Sequence, residues 1–160
     1  LKSLDGCLLQ QKQFFAKTIG SKMAGAFADK GDNIAKSEIM DSLKRISDDL
    51  KSTPAQQKTL LLVPDMMENS EFGSFYSNNQ IRLLTPEKEM ARVKQQNLLA
   101  DFGGAQVYIA GAGLIDTDAK NNYRSGKIMQ QPEAFWRDYF AASQAEVASF
   151  GAPELTVDLR

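Results

Sequence analysis

Large apolar residues between Leu4 and Asp29 (Leu8, Phe14, Phe15, Ile19, Met23 and Phe27) fall mostly on one side of a helix of about 3.6 residues per turn. Gly31 and Asp32 end that pattern. Ser37 then precedes Ile39, Leu43, Ile46 and Leu50, which predicts an amphipathic helix with Ser37 as its N-cap and Pro54 beyond its exit. Thr59–Val63 is a short apolar run between polar flanks, and its brevity and Pro-Asp ending predict a buried strand. The segment from Met66 to Arg82 is rich in Asn and Ser and reads as a loop. Thr85-Pro86-Glu87 combines an N-cap, a Pro in the first turn and an acid near the positive helix end, so a third helix opens there. It runs to about Asp101, before Gly103-Gly104.

Gln106–Ala112 predicts a second strand, followed by a polar loop from Asp116 to Gln131. Pro132-Glu133 opens a fourth helix whose Phe135, Trp136, Tyr139 and Phe140 share one aromatic, core-facing side. Glu146–Phe150 reads as a last strand, stopped by Gly151 and Pro153. Strands separated by helices imply parallel pairing through right-handed crossovers. The expected architecture is therefore a three-layer α/β/α single domain with a mainly parallel sheet. Two successive helices ahead of the first strand leave that sheet short, which places one or two further strands upstream of Leu1.

Composition narrows the chemistry. The 160 residues carry 19 Lys and Arg against 20 Asp and Glu, with no basic excess of the kind that drives nucleic-acid binding. No apolar run approaches the roughly 18 residues of a membrane span. With no histidine and one cysteine, the chain cannot build Ser-His or Cys-His nucleophile pairs or an internal disulfide.

Ligands of open parallel sheets sit beyond the carboxyl ends of the strands. Asp65 falls there, and could hold a divalent cation with Glu68 and Asn69 as further oxygen donors, or equally cap a turn. Ser37 could add a hydroxyl ligand or serve as an N-cap alone. Gly111-Ala112-Gly113 lacks the third glycine and the following helix of a dinucleotide fingerprint, and reads as a tight turn. Cys7 reads as a small buried residue.

The run Ser37-Glu38-Ile39-Met40-Asp41-Ser42-Leu43 resembles the second metal-binding motif of von Willebrand factor A-type domains. Leu60-Leu61-Leu62-Val63-Pro64-Asp65-Met66-Met67 resembles the strand that ends in the third. Gln106–Gly113 and Phe135–Phe140 are similar to a bacterial branch of that superfamily found in secreted or envelope-associated proteins or mobile elements. The resemblance implies a Rossmann-like fold and a metal-ion-dependent adhesion site with Ser37 and Asp65 as ligands for Mg²⁺ or another divalent cation. It further implies a protein partner contacted through Met66, Met67, Glu68 and Phe72. The first motif, Asp-x-Ser-x-Ser, is absent, so this chain offers two ligands of that site. The expectation is a protein-binding module without catalytic residues. The alternatives are a metal-dependent hydrolase built on Asp65 and Glu68, or a structural subunit without metal.

Overall fold

A computed structural model describes residues 2–28, 36–77, 80–113 and 126–151. The chain divides into two compact units, Leu1–Ala35 and Lys36–Arg160. The first contains helix α1, Lys2–Ala28, close to the span its periodicity predicts. Leu8, Leu9, Phe14, Phe15 and Ile19 are all exposed, Phe14 by 74% and Phe15 by 67%. Cys7 is exposed as well, against the expectation of burial.

The second unit is built on three parallel strands. They are β1 (Thr59–Leu62), β6 (Ala105–Ile109) and β7 (Ala145–Phe150), in the order β1-β6-β7. Leu60 pairs with Val107 and Val107 with Val147, so these three apolar side chains point to one side of the sheet. Between them and around them the chain forms α2 (Ile39–Ser52), α3 (Pro86–Gln95) and α4 (Gly126–Ala142). The coarse α/β reading and the parallel pairing of all three strands hold.

Within the second unit, helices α2, α3 and α4 share one face of the sheet. A chain that steps across a sheet in one direction through right-handed crossovers leaves both crossover helices on the same face. In agreement, α4 packs on both α3 and β7. Met40 and Leu43 of α2, Met90 and Val93 of α3, and the α4 aromatics join one core with Leu62, Ala105, Val107 and Ile109. The opposite face carries Thr59, Leu61 and Glu146, all exposed, beside buried Tyr108 and Ser149.

Two boundaries moved for identifiable reasons. Helix α3 stops at Gln95 because Asn97 takes a left-handed backbone (φ 56°). The Leu98 N–H then bonds the Val93 carbonyl at 3.0 Å, and the Asn97 N–H the Lys94 carbonyl at 3.2 Å, a Schellman closure with Asn in place of Gly. Helix α4 starts at Gly126, so residues 126–131 are helical rather than loop and Pro132 lies inside the helix. Asp116 and Asp118 lie outside the described residues.

The segment read as a loop from Met66 to Arg82 contains two short antiparallel hairpins. These are β2 (Asn69–Ser70) with β3 (Gly73–Ser74), and β4 (Tyr76–Ser77) with β5 (Gln80–Ile81). Phe72 and Phe75 in this stretch are buried. Arg92 of α3 stacks over the Phe72 ring at 4.4 Å and also bonds the Phe72 carbonyl. Its guanidinium, with that of Arg82, brackets the nearly buried Glu89 at 2.8 Å each.

Candidate functional site

Strand β1 delivers residues 65–69 to the carboxyl edge of the sheet, where the sequence places them. There they form a junction of hydrogen bonds. The Asp65 carbonyl accepts the Gly113 N–H at 2.8 Å. Gly113 (φ 79°) and Gly111 (φ 88°) make the tight turn after β6 that two glycines predict. One Asp65 carboxylate oxygen receives the Met67 N–H at 2.9 Å, closing an Asx-type turn, and the other receives the Tyr76 hydroxyl at 3.0 Å.

Met66 follows in a left-handed conformation (φ 62°), uncommon for a residue with a side chain. Its carbonyl is thereby presented to the Trp136 indole N–H at 2.8 Å. Glu68 continues the pattern. Its carbonyl accepts the Phe75 N–H, and its carboxylate accepts the Met40 N–H at 3.0 Å.

Ser37 does not cap α2. The N-cap position falls to Glu38, whose side chain makes no capping bond, and Glu68 takes that role from across the fold. Ser37 instead forms an antiparallel bridge with Asn69, N–H to carbonyl at 2.8 and 2.9 Å in the two directions. Of the two residues expected around a cation, Asp65 thus has both carboxylate oxygens engaged and Ser37 has its backbone paired with Asn69. Among the described residues no group of three or more Asp, Glu, Cys or His side chains forms a metal cage.

The residues expected to meet a partner need correction. Met66 and Met67 are fully buried, Phe72 nearly so, and Glu68 is 1% exposed. They fasten the loop to the core and present no surface. A buried Met beside a strand end was legible as apolar, but nothing in its spacing distinguished a loop anchor from a contact surface.

Burial dominates the electrostatics. It pushes the Asp65 carboxyl above the ordinary carboxylate range, against the opposing Met67 and Tyr76 hydrogen bonds. Glu68 is pushed the same way by burial, helped by the negative charge of Asp41 and opposed by Ser70 and the Met40 and Ile39 N–H groups. Asp65 can therefore hold a proton at higher pH than an ordinary Asp. A separate groove of about 510 Å³ lies between β5 and α4, lined by Gln80, Arg82, Leu83, Ile128, Gln130 and Gln131. Among the described residues, no helix is long and apolar enough to cross a membrane.

Compared with models of known protein families, with curated proteins and with solved structures, the chain matches none of them.

Proposed function

We propose that this chain is a protein-binding α/β module, as its resemblance to von Willebrand A-type domains implies, and that it meets its partner through α1. The observation that carries this reading is the exposure of Leu8, Leu9, Phe14, Phe15 and Ile19 on one helix. A helix draws most of its stability from packing its apolar side chains, and a concentration of exposed Phe and Leu marks an interaction surface. Lys2, Lys12, Lys17 and Lys22 accompany them against Asp5 alone, which favours an acidic partner.

The cation-dependent form of the reading has less support. Both Asp65 carboxylate oxygens already serve the fold, and the Ser37 backbone is bridged to Asn69. The hydrolase alternative loses Glu68 to the capping of α2 in the same way.

The test is a photo-crosslinking amino acid placed at Phe14 or Phe15 in the cells that make the protein, with Lys94 on α3 as control position. One recurrent protein adduct at positions 14 and 15, absent at 94, is expected. The purified adduct partner then binds wild type and loses affinity for a chain carrying Phe14→Ser and Phe15→Ser. Equal adducts at all three positions, or unchanged affinity in the double variant, would refute the assignment to α1.

A further inference from the structure

The groove of about 510 Å³ between β5 and α4 runs along the edge of a strand. Gln80, Ile81 and Arg82 all line it, although successive side chains of a strand turn to opposite faces. A groove reached from both faces follows the strand's edge and does not cover one side. Strand β5 has one open edge among the described residues, because its sheet holds only β4 besides itself. The backbone there is oriented for pairing. Tyr76 stands opposite Ile81, and the Arg82 N–H turns toward β4 to bond the Phe75 carbonyl at 2.7 Å. By the alternation of an antiparallel ladder, the N–H and carbonyl of Ile81 point the other way, to the open edge.

The walls combine apolar and charged chemistry. Leu83 is 82% exposed and Ile128, from α4, 47% exposed, so two aliphatic side chains stand in water beside that edge. Gln80 and Gln130 add exposed carboxamides. Gln131 gives its carboxamide oxygen to the Leu84 N–H at 3.0 Å, which ties α4 to the chain just beyond β5. Arg82 is the one charged residue among the described residues that line the groove. Its counter-ion Glu89 is shared with Arg92, at 2.8 Å from each guanidinium, so two positive charges meet one negative and leave a positive excess.

We propose that the open edge of β5 receives an extended acidic peptide segment as an added strand. The main chain of that segment pairs with Ile81, an aliphatic side chain packs on Leu83 and Ile128, and a carboxylate meets Arg82. Ile81 and Arg82 turn to opposite faces, so the aliphatic and acidic side chains come from adjacent residues of the ligand. Residues 80–83 offer about 13 Å of edge, the length of a tetrapeptide. This inference is independent of the reading of α1, since it uses residues of the second unit alone.

The probe is the peptide acetyl-Thr-Leu-Glu-Thr-amide, titrated to about 10 mM into the ¹⁵N-labelled full chain and followed by amide chemical shifts. Saturating shifts at the Ile81 and Leu83 amides are expected. Replacing the probe's Glu by Gln should weaken binding about fivefold, the size for a pair with a guanidinium that is 36% exposed. Leu83→Asp, at a position too exposed to carry the fold, should weaken it about tenfold by removing the aliphatic contact and adding a like charge. A probe N-methylated at both central residues cannot pair as a strand and should not bind. No saturating shift at these two amides overturns the proposal. Equal binding by the Gln probe, by the N-methylated probe or by the Leu83→Asp chain does so as well.

Discussion

Removing the Trp136 side chain tests the carboxyl-edge junction most directly. The indole is fully buried, with Phe135, Tyr139, Phe75 and Phe140 at ring-centroid distances of 5.1, 5.4, 6.0 and 6.2 Å. Emptying such a site costs about 3–5 kcal/mol. The substitution also strips the Met66 carbonyl of its 2.8 Å donor. A buried carbonyl left alone costs about 1–3 kcal/mol, and Met66 is already in a backbone conformation its side chain disfavours. Trp136→Ala should therefore reach the top of the cavity range, ~5 kcal/mol. That is much of the ~5–15 kcal/mol that holds a domain together. Trp136→Phe keeps an aromatic ring but not the N–H, and should cost ~2 kcal/mol. Because Trp136 is the sole tryptophan, its fluorescence reports unfolding at this site in wild type. The variants are compared by circular dichroism in a urea titration. A Phe variant within about 0.5 kcal/mol of wild type would refute the role of the Met66 bond. An Ala variant losing less than about 1 kcal/mol would refute the packing.

Glu89→Ala should cost ~1–2 kcal/mol, since it strands Arg82 and Arg92 but both remain partly open to water; Glu89→Gln should cost less, and urea titration measures both. Gly113→Ala should be more destabilising in the same assay than Gly103→Ala. Both positions are left-handed, at a cost of about 1–2 kcal/mol, but only at 113 would the new methyl sit 3.0 Å from the Met129 sulfur. Tyr76→Phe removes a hydrogen bond that opposes burial, so the Asp65 carboxyl should move further up in a ¹³C titration. The stability this group lends, present below its ordinary 3.8 and lost as pH rises through the raised value, should then be lost more deeply. Millimolar Mg²⁺ or Mn²⁺ should leave the Tm of wild type unchanged, and a rise that Asp65→Ala abolishes would restore the cation site.

The parts of the fold legible in the sequence are those whose signals are local. Thr59–Leu62 and Ala105–Ile109 are short apolar runs between breakers, and Thr85-Pro86-Glu87 announces a helix whatever surrounds it. Pro132 misled because its missing N–H usually marks a first turn, whereas here the helix begins at Gly126 and tolerates one lost bond with the proline ring buried. The hairpins at 69–81 were hidden for a different reason. Two-residue strands are too short to show a period of two, and the polar residues around Phe72 and Phe75 mask the pair that reaches the core. The sidedness of the sheet depended on strand order, which periodicity does not contain.

The candidate site divides along the same line. That Asp65 would emerge at the carboxyl edge follows from where the apolar run stops, and it does emerge there. What its carboxylate does follows from Tyr76 and from the turn to Met67. The capping of α2 by Glu68 joins residues 28 positions apart, so no local reading could replace Ser37 with it. The Asp65 and Glu68 carboxylates, which looked available for a ligand, each satisfy a backbone N–H. A loop folded over its own core needs those bonds before it can offer any to a ligand. Helix α1 is a different case, since helical spacing put its apolar residues on one side and the structure exposes Leu8, Leu9, Phe14, Phe15 and Ile19. Met66 and Met67 are buried whereas Phe14 and Phe15 are exposed, which is why the partner reading moves to that helix.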